Sequence, residues 1–588
     1  MLLCTTKYSQ DIVIKKKAVW ILQSLPNWRV YLNWTTVGIA LFLLYWMFVS
    51  YLNRKGILER HNITSYGPLL MIRTTKGLKL LDKLAVPKRA WRLFADVGIR
   101  MMFIGMLAML LVVIVSDIGM LSSVANNTMP EPSKFNEARN IFLIPGVNEF
   151  IPFTWGLIAL VVTLVVHEFS HAILCRVENI RVKSMGILLA LVPVGGFAEP
   201  DEKELFGTED PSKSDENTAV ITSKAATRQQ RARILAAGVM ANFVVALLAF
   251  SLFFGPVLGA IAPIGNVMIT DAQGEAADAG LGPQMIITQI NDRPVDNIVE
   301  MLEYLDTIPA GETVKVQASK DMVTSTYDIK VGSAEEAVAG VLIQDIVSDS
   351  PAEAAGLQKG MRIMQMDNVP MRSVYDFRSF MNTTSLGQSV KLLLADNTSK
   401  TLEVTLLLAS HPDEGDQKGF LGVYTGQDEN VITSLGITVG EFPATTYLSL
   451  LKNIPEMLKG TVGWIILLGL PIVGFAGEGF PGFSGMLANF YAPAGWAEPL
   501  GIGIFWIANS LLWIGWLNFY VGLFNCLPAV PLDGGHIFKD YTKAFIYWLT
   551  KNEEQSLRLS SAVTATFAML IFMSFAFMVF GPYLVHGF

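Results

Sequence analysis

Apolar residues run with few interruptions by charge at 32–52, 98–116, 151–175, 233–254, 502–526 and 561–583. Each run approaches the roughly 20 residues a helix needs to cross a bilayer, so the pattern predicts six spans. A further apolar stretch, Thr461–Ala476, is shorter and broken by Gly469, Pro471 and Gly474, as suits an interfacial or re-entrant segment. Between the fourth and fifth spans, residues 255–425 instead alternate apolar and polar positions and carry frequent turn residues, the signature of strands. This stretch repeats itself without gaps. Gly274–Leu281 continuing to Met285–Val295 matches Ser350–Leu357 continuing to Met361–Met371, at a constant offset of 76 residues. Two copies predict a tandem pair of β-rich domains rather than a solenoid.

Composition agrees with a polytopic α-helical membrane protein bearing two inserted β-rich domains. The chain is 52% hydrophobic and only 16% charged, with a mean hydropathy of +0.43, too apolar for a soluble chain of 588 residues. A net charge of -7 and no basic face argue against a nucleic-acid partner. Cys4, Cys175 and Cys526 are too few and too scattered for a disulfide framework or a cysteine zinc site. Lys15–Lys17 precede an apolar run without a small-residue cleavage site, which reads as a retained span. The segment between the first two spans holds ten lysines and arginines from Arg54 to Arg92 and is expected to face the cytoplasm. Six spans then leave both termini and the β-rich domains outside.

The candidate chemistry lies at the end of the third span, where residues 167–171 read His-Glu-Phe-Ser-His. On a helix His167 and His171 project from one face and can share one Zn²⁺, with Glu168 beside the metal as general base. Ionisable groups at bilayer depth cost a few kcal/mol each unless an ion or partner compensates them, which favours function over chance. A catalytic zinc needs a third protein ligand. Asp533, in Phe524-Asn-Cys-Leu-Pro-Ala-Val-Pro-Leu-Asp-Gly-Gly-His536, is the best candidate, although Pro, Asp and Gly together also make an ordinary helix-ending turn.

The two motifs together resemble the site-2 protease family of intramembrane zinc metalloproteases. Pro193-Val-Gly-Gly-Phe-Ala-Glu199 is similar to that family's glycine-rich membrane hairpin, and Ala237-Gly-Val-Met-Ala-Asn242-Phe to its next core helix. The small residues leading to Ala-Gly-Leu in each repeat resemble PDZ domains, whose grooves bind extended peptide C-termini. The resemblance implies Zn²⁺ held by His167, His171 and Asp533, with Glu168 as base and Asn525 hydrogen-bonding the substrate carbonyl or its oxyanion. It also implies a membrane-spanning protein substrate whose helix unwinds beside the hairpin, where Gly195 and Gly196 leave room for it and for water. Asn242 reads rather as a polar contact between spans, and His536 stays outside the ligand set. The expected organisation is 1–117 N-terminal membrane region, 150–255 first catalytic part, 256–333 and 334–410 PDZ-like domains, 411–500 linker, 501–540 second catalytic part and 541–588 last span. A prokaryotic plasma membrane suits this plan. The rival reading is a membrane-anchored PDZ scaffold with a structural zinc, against which an intact Glu168 argues.

Overall fold

The computed structural model describes residues 34–587 except 75–77, 142, 191, 207–224, 333–339, 349, 372–373, 396–400, 411–417, 426–429, 433, 474–479 and 481. Its principal helices are α1 (Trp34–Arg54), α2 (Lys88–Ala125), α3 (Phe153–Val177), α4 (Arg228–Leu252), α5 (Ala444–Met457), α6 (Thr461–Val473), α7 (Gly503–Asn525), α8 (Asp533–Thr550) and α9 (Glu553–His586). Among the described residues α2, α3, α4, α7 and α9 are long and apolar enough to cross a membrane. The 21-residue α1 covers the remaining predicted span. Helix α2 is much longer than its expected span. Its 38 residues rise about 57 Å, against a hydrocarbon core of roughly 30 Å. Helix α6 has only 13 residues and is too short to cross.

The chain divides into two compact units, residues 1–247 with 514–588, and residues 248–513. In the first, glycines let helices approach closely. A Cβ at Gly522 of α7 would stand 2.8 Å from the Phe243 ring of α4, and one at Gly105 of α2 would stand 2.6 Å from Cys526 Sγ. The third span is tied to its neighbours by charge at its C-terminus. Glu178, its side chain 2% exposed, meets Arg92 of α2 at 3.0 Å and Arg233 of α4 at 3.3 Å, while Arg233 also grips Asp96 of α2 at 2.7 and 2.8 Å.

Strands β1 (Ile63–Tyr66), β2 (Leu69–Thr74), β3 (Val182–Ala190) and β4 (Val192–Pro200) form one antiparallel sheet in the order β1-β2-β3-β4. The basic segment between the first two spans, expected as a loop, therefore supplies two strands to the hairpin's sheet. Its strands are only four and six residues long, too short for alternation to stand out.

In the second unit, β5 (Val267–Ala272), β6 (Ile286–Ile290), β7 (Thr313–Lys320) and β8 (Val323–Lys330) belong to the first repeat. The second repeat supplies β9 (Val341–Ile346), β10 (Arg362–Met366), β11 (Ser389–Ala395), β12 (Thr401–Leu407) and β13 (Val423–Thr425), followed by β14 (Asn430–Ile432) and β15 (Ile437–Glu441). The sheets run β8-β7-β6-β5-β15-β14 and β12-β11-β10-β9-β13. The two copies use the same turn: Asn291 and Asp292 in one, Asp367 and Asn368 in the other, all with positive φ, as a type I′ hairpin requires. In each, the first turn residue's side chain accepts from a strand N–H at 2.8 Å, Lys315 or Lys391. The tandem expectation needs correction. Strands β14 and β15 complete the first sheet after the whole second repeat has passed, so the second copy is nested in the first, and 256–333 and 411–500 are not a domain and a linker. The first sheet also closes across the insertion, Gly332 N–H donating to Ser434 O at 2.8 Å.

Replacing Glu178 by Ala leaves the Arg92 and Arg233 guanidiniums short of their shared buried anion. The expected loss is about 3 kcal/mol, at the low end for a buried pair because Arg92 is 40% exposed. Denaturation in detergent checks this, and an unchanged midpoint would show that the network adds nothing.

Candidate metal centre

Helix α3 carries a β-branched run, Val161-Val162-Thr163 and Val165-Val166, that disfavours helix in water. In lipid the backbone must satisfy itself, so the helix forms regardless. Its periodicity sets His167 and His171 one turn apart, their rings edge to face with centroids 4.6 Å apart and their Nε2 atoms 3.1 Å apart. Asp533 Oδ2 lies 3.2 Å from one Nε2 and 3.3 Å from the other. That oxygen is buried, yet it is aligned for a hydrogen bond with neither imidazole. The three atoms converge on a common point rather than pairing. Ligands about 2.0–2.1 Å from a tetrahedral zinc stand roughly 3.3 Å apart, so two imidazole nitrogens and one carboxylate oxygen at these separations fit such an ion. Among the described residues this is the cluster of His, Cys, Asp or Glu able to hold a metal.

Two backbones make the convergence possible. Asp533 opens α8, where a carboxylate is favourable beside the helix's free N–H groups. Gly534 and Gly535 press that first turn onto the end of α7: a Cβ at Gly534 would lie 2.4 Å from Cys526 O, and one at Gly535 2.4 Å from the Ala529 carbonyl carbon. Helix α4 supplies the other wall. A Cβ at Gly238 would stand 2.5 Å from His171 Nε2 and 2.8 Å from His167 Cε1. One turn before it, Ile234 O lies 2.7 Å from His171 Nδ1. A carbonyl can only accept, so Nδ1 carries the proton and the lone pair of Nε2 points at the shared centre.

Glu168, next to His167 on the helix, reaches β4. Its Oε2 accepts the Ala198 N–H at 2.9 Å, and a Cβ at Gly196 would strike its Cγ at 2.6 Å. Gly196 is therefore needed for the strand to reach the helix. Gly195 faces Leu188 instead. Beside Glu168 a cavity of about 160 Å³ is lined mainly by apolar side chains, among them Leu164, Met185 and Phe197. Asn525, at the end of α7, donates from Nδ2 to Val521 O at 3.0 Å within its own helix. The residues that sequence reasoning missed are Ile234, Gly238 and Ala198. An isolated glycine in an apolar helix was the available signal for the second; the other two act through their backbones.

The sequence profile of peptidase family M50 matches residues 155–574, a range that contains both motifs. The chain belongs to peptidase family M50. The site-2 protease resemblance is thereby borne out, and the chain is a membrane metalloprotease of that type. Its relatives include the regulator of sigma-E protease RseP of Escherichia coli, 24% identical over 66% of this chain and 90% of that one. An uncharacterised protein of Methanocaldococcus jannaschii is 29% identical over 49% of this chain and 69% of its own length. Among solved structures, the PDZ domain of an SdrC-like protein of Listeria monocytogenes is similar at 22% identity with a TM-score of 0.14, over 16% of this chain and 93% of that domain. M50 membership implies a bound metal, and the donor set above is the one that fits it.

Two alanine substitutions separate the two halves of this M50 site. Gly238→Ala is expected to displace both imidazoles and strip the metal from purified protein. Gly196→Ala is expected to retain the metal and lower activity at least tenfold by shifting Glu168. Metal analysis beside a cleavage assay checks both, and full metal content in Gly238→Ala would refute the packing argument.

Proposed function

We propose that the protein is an intramembrane zinc metalloendopeptidase that hydrolyses a peptide bond within or next to the transmembrane segment of a membrane-anchored substrate. The observation that carries this reading is the meeting of His167 and His171, on an apolar helix, with Asp533, at the turn that follows another, and Glu168 in contact with the edge strand of a sheet. A zinc ion held by the three groups supplies Lewis acidity toward a water and a peptide carbonyl. Glu168, steadied at Oε2 by Ala198 N–H, offers Oε1 to take the proton of the attacking water and deliver it to the leaving amine. A helical peptide bond is shielded by its own hydrogen bonds, so the substrate has to unwind. Strand β4 ends its sheet and offers backbone groups to an extended segment. The cavity beside Glu168 would receive an apolar side chain of that segment. Asn525 spends one amide N–H on Val521 O and keeps a second with which to serve the developing oxyanion.

The lysine and arginine bias supports a cytoplasmic position for the β1–β2 segment and an extracytoplasmic one for the nested β-rich pair. There the PDZ-like pair would restrict access to substrates already trimmed outside the membrane.

Two measurements test this reading. Purified protein in detergent with a panel of single-span substrates is expected to cut in a chelator-sensitive way, and Glu168→Gln to lower the rate at least a hundredfold. Undiminished cutting by Glu168→Gln would remove the mechanism, and no cutting by any zinc-loaded preparation would favour a scaffold. Because Gly332 and Ser434 already touch, residues 340–425 can be excised with the first sheet intact. The excised protein is expected to cleave untrimmed substrate, whereas unchanged selectivity would rule out gating.

A further inference from the structure

Asn242 is completely buried on α4, two turns beyond Ile234 and one beyond Gly238. Its Nδ2 lies 3.2 Å from His167 Nδ1, while its Oδ1 is buried without any hydrogen-bond partner. Residues 234, 238 and 242 follow each other at helical spacing, so a single stripe of α4 faces both imidazoles. The first holds His171 through a carbonyl, the second leaves room for the rings, and the third reaches His167.

With Nδ2 toward the ring, an amide N–H donates to Nδ1 and the imidazole proton sits on Nε2, where it blocks metal binding. A half-turn about the Asn242 Cβ–Cγ bond exchanges the two ends with no other movement, and no donor holds Oδ1 where it now lies. Oδ1 then accepts Nδ1–H, and Nε2 presents a bare lone pair. His171 already has this arrangement through Ile234 O.

We propose that Asn242 is a positioning residue for the metal: its amide oxygen fixes the His167 tautomer and ring plane that zinc requires. It does not touch substrate. The inference rests on the reading of His167, His171 and Asp533 as zinc ligands, which a separate arm tests. Outer partners of ligand histidines are typically worth 10–100-fold in metal affinity.

The experiment is zinc competition against a chromogenic chelator on the purified full-length protein in detergent, with the unfolding midpoint of metal-stripped protein measured alongside. Tight zinc binding by wild type and its loss in His171→Ala establish the ligand reading; their failure would sink that reading rather than this one. Asn242→Leu, similar in size without an acceptor, is expected to weaken zinc binding 10–100-fold with the metal-free midpoint unchanged or raised. Asn242→Asp, which keeps an acceptor and no donor, is expected to bind zinc at least as tightly as wild type. Unchanged zinc affinity in Asn242→Leu would overturn the proposal and leave Asn242 as a contact between helices. If Asn242→Leu does not fold, Asn242→Asp decides: a tenfold loss would show that the amide N–H is the group that matters.

Discussion

Ionisable side chains held among apolar helices have to be answered by a partner, and the first unit is arranged around that constraint. Leaving a polar group unpaired in a hydrocarbon setting costs several kcal/mol. His171 answers its Nδ1 with a backbone carbonyl of α4, Glu168 answers Oε2 with a backbone N–H of β4, and Glu178 answers both its oxygens with arginines from two helices. Among the charged groups at the site, the convergence itself has no such answer, two Nε2 atoms and Asp533 Oδ2 around one point. A cation resolves all three at once, which is why the helices can pack so closely there. The glycines of α4, α8 and β4 are consequences of the same demand, since each stands where a side chain would hold the groups apart.

Legibility in the sequence followed from how each feature is encoded. The His-Glu-Phe-Ser-His pair shows because helical spacing and chemistry coincide in five residues. Asp533 shows because Pro528, Pro531, Gly534 and Gly535 mark irregular backbone beside an apolar run. The repeat shows because both copies need the same αL turn at Asn291 and Asp367. Features carried by backbone atoms or by long-range pairing leave no such mark. Nothing local in Ile234 or Ala198 announces that its carbonyl or N–H serves the site. Strands β14 and β15 read as part of a linker because β5, the strand to which β15 joins them, lies before an entire second domain. Asn525 is a different case, a residue whose role is expected from its motif and which spends one of its two amide N–H groups inside its own helix.

Nesting also bears on how Asp533 meets two histidines so far upstream. Closing a chain loop costs only about 0.6 kcal/mol more for each doubling of its length, so separation in sequence is a weak obstacle. The insertion makes it weaker. Residues 248–513 form a compact unit of their own, and the chain leaves and rejoins the first unit through α4 and α7, whose Phe243 and Phe519 rings stand 5.8 Å apart. A folded insert anchored between two packed helices acts as a short link rather than a long floppy one. The same device recurs inside the insert, where Gly332 and Ser434 close the first sheet around the second copy. Each level leaves the host's contacts intact, so the β-rich part can vary in size without moving the carboxylate away from the imidazoles. The chemistry therefore depends on the packing of α3, α4, α7 and the first turn of α8.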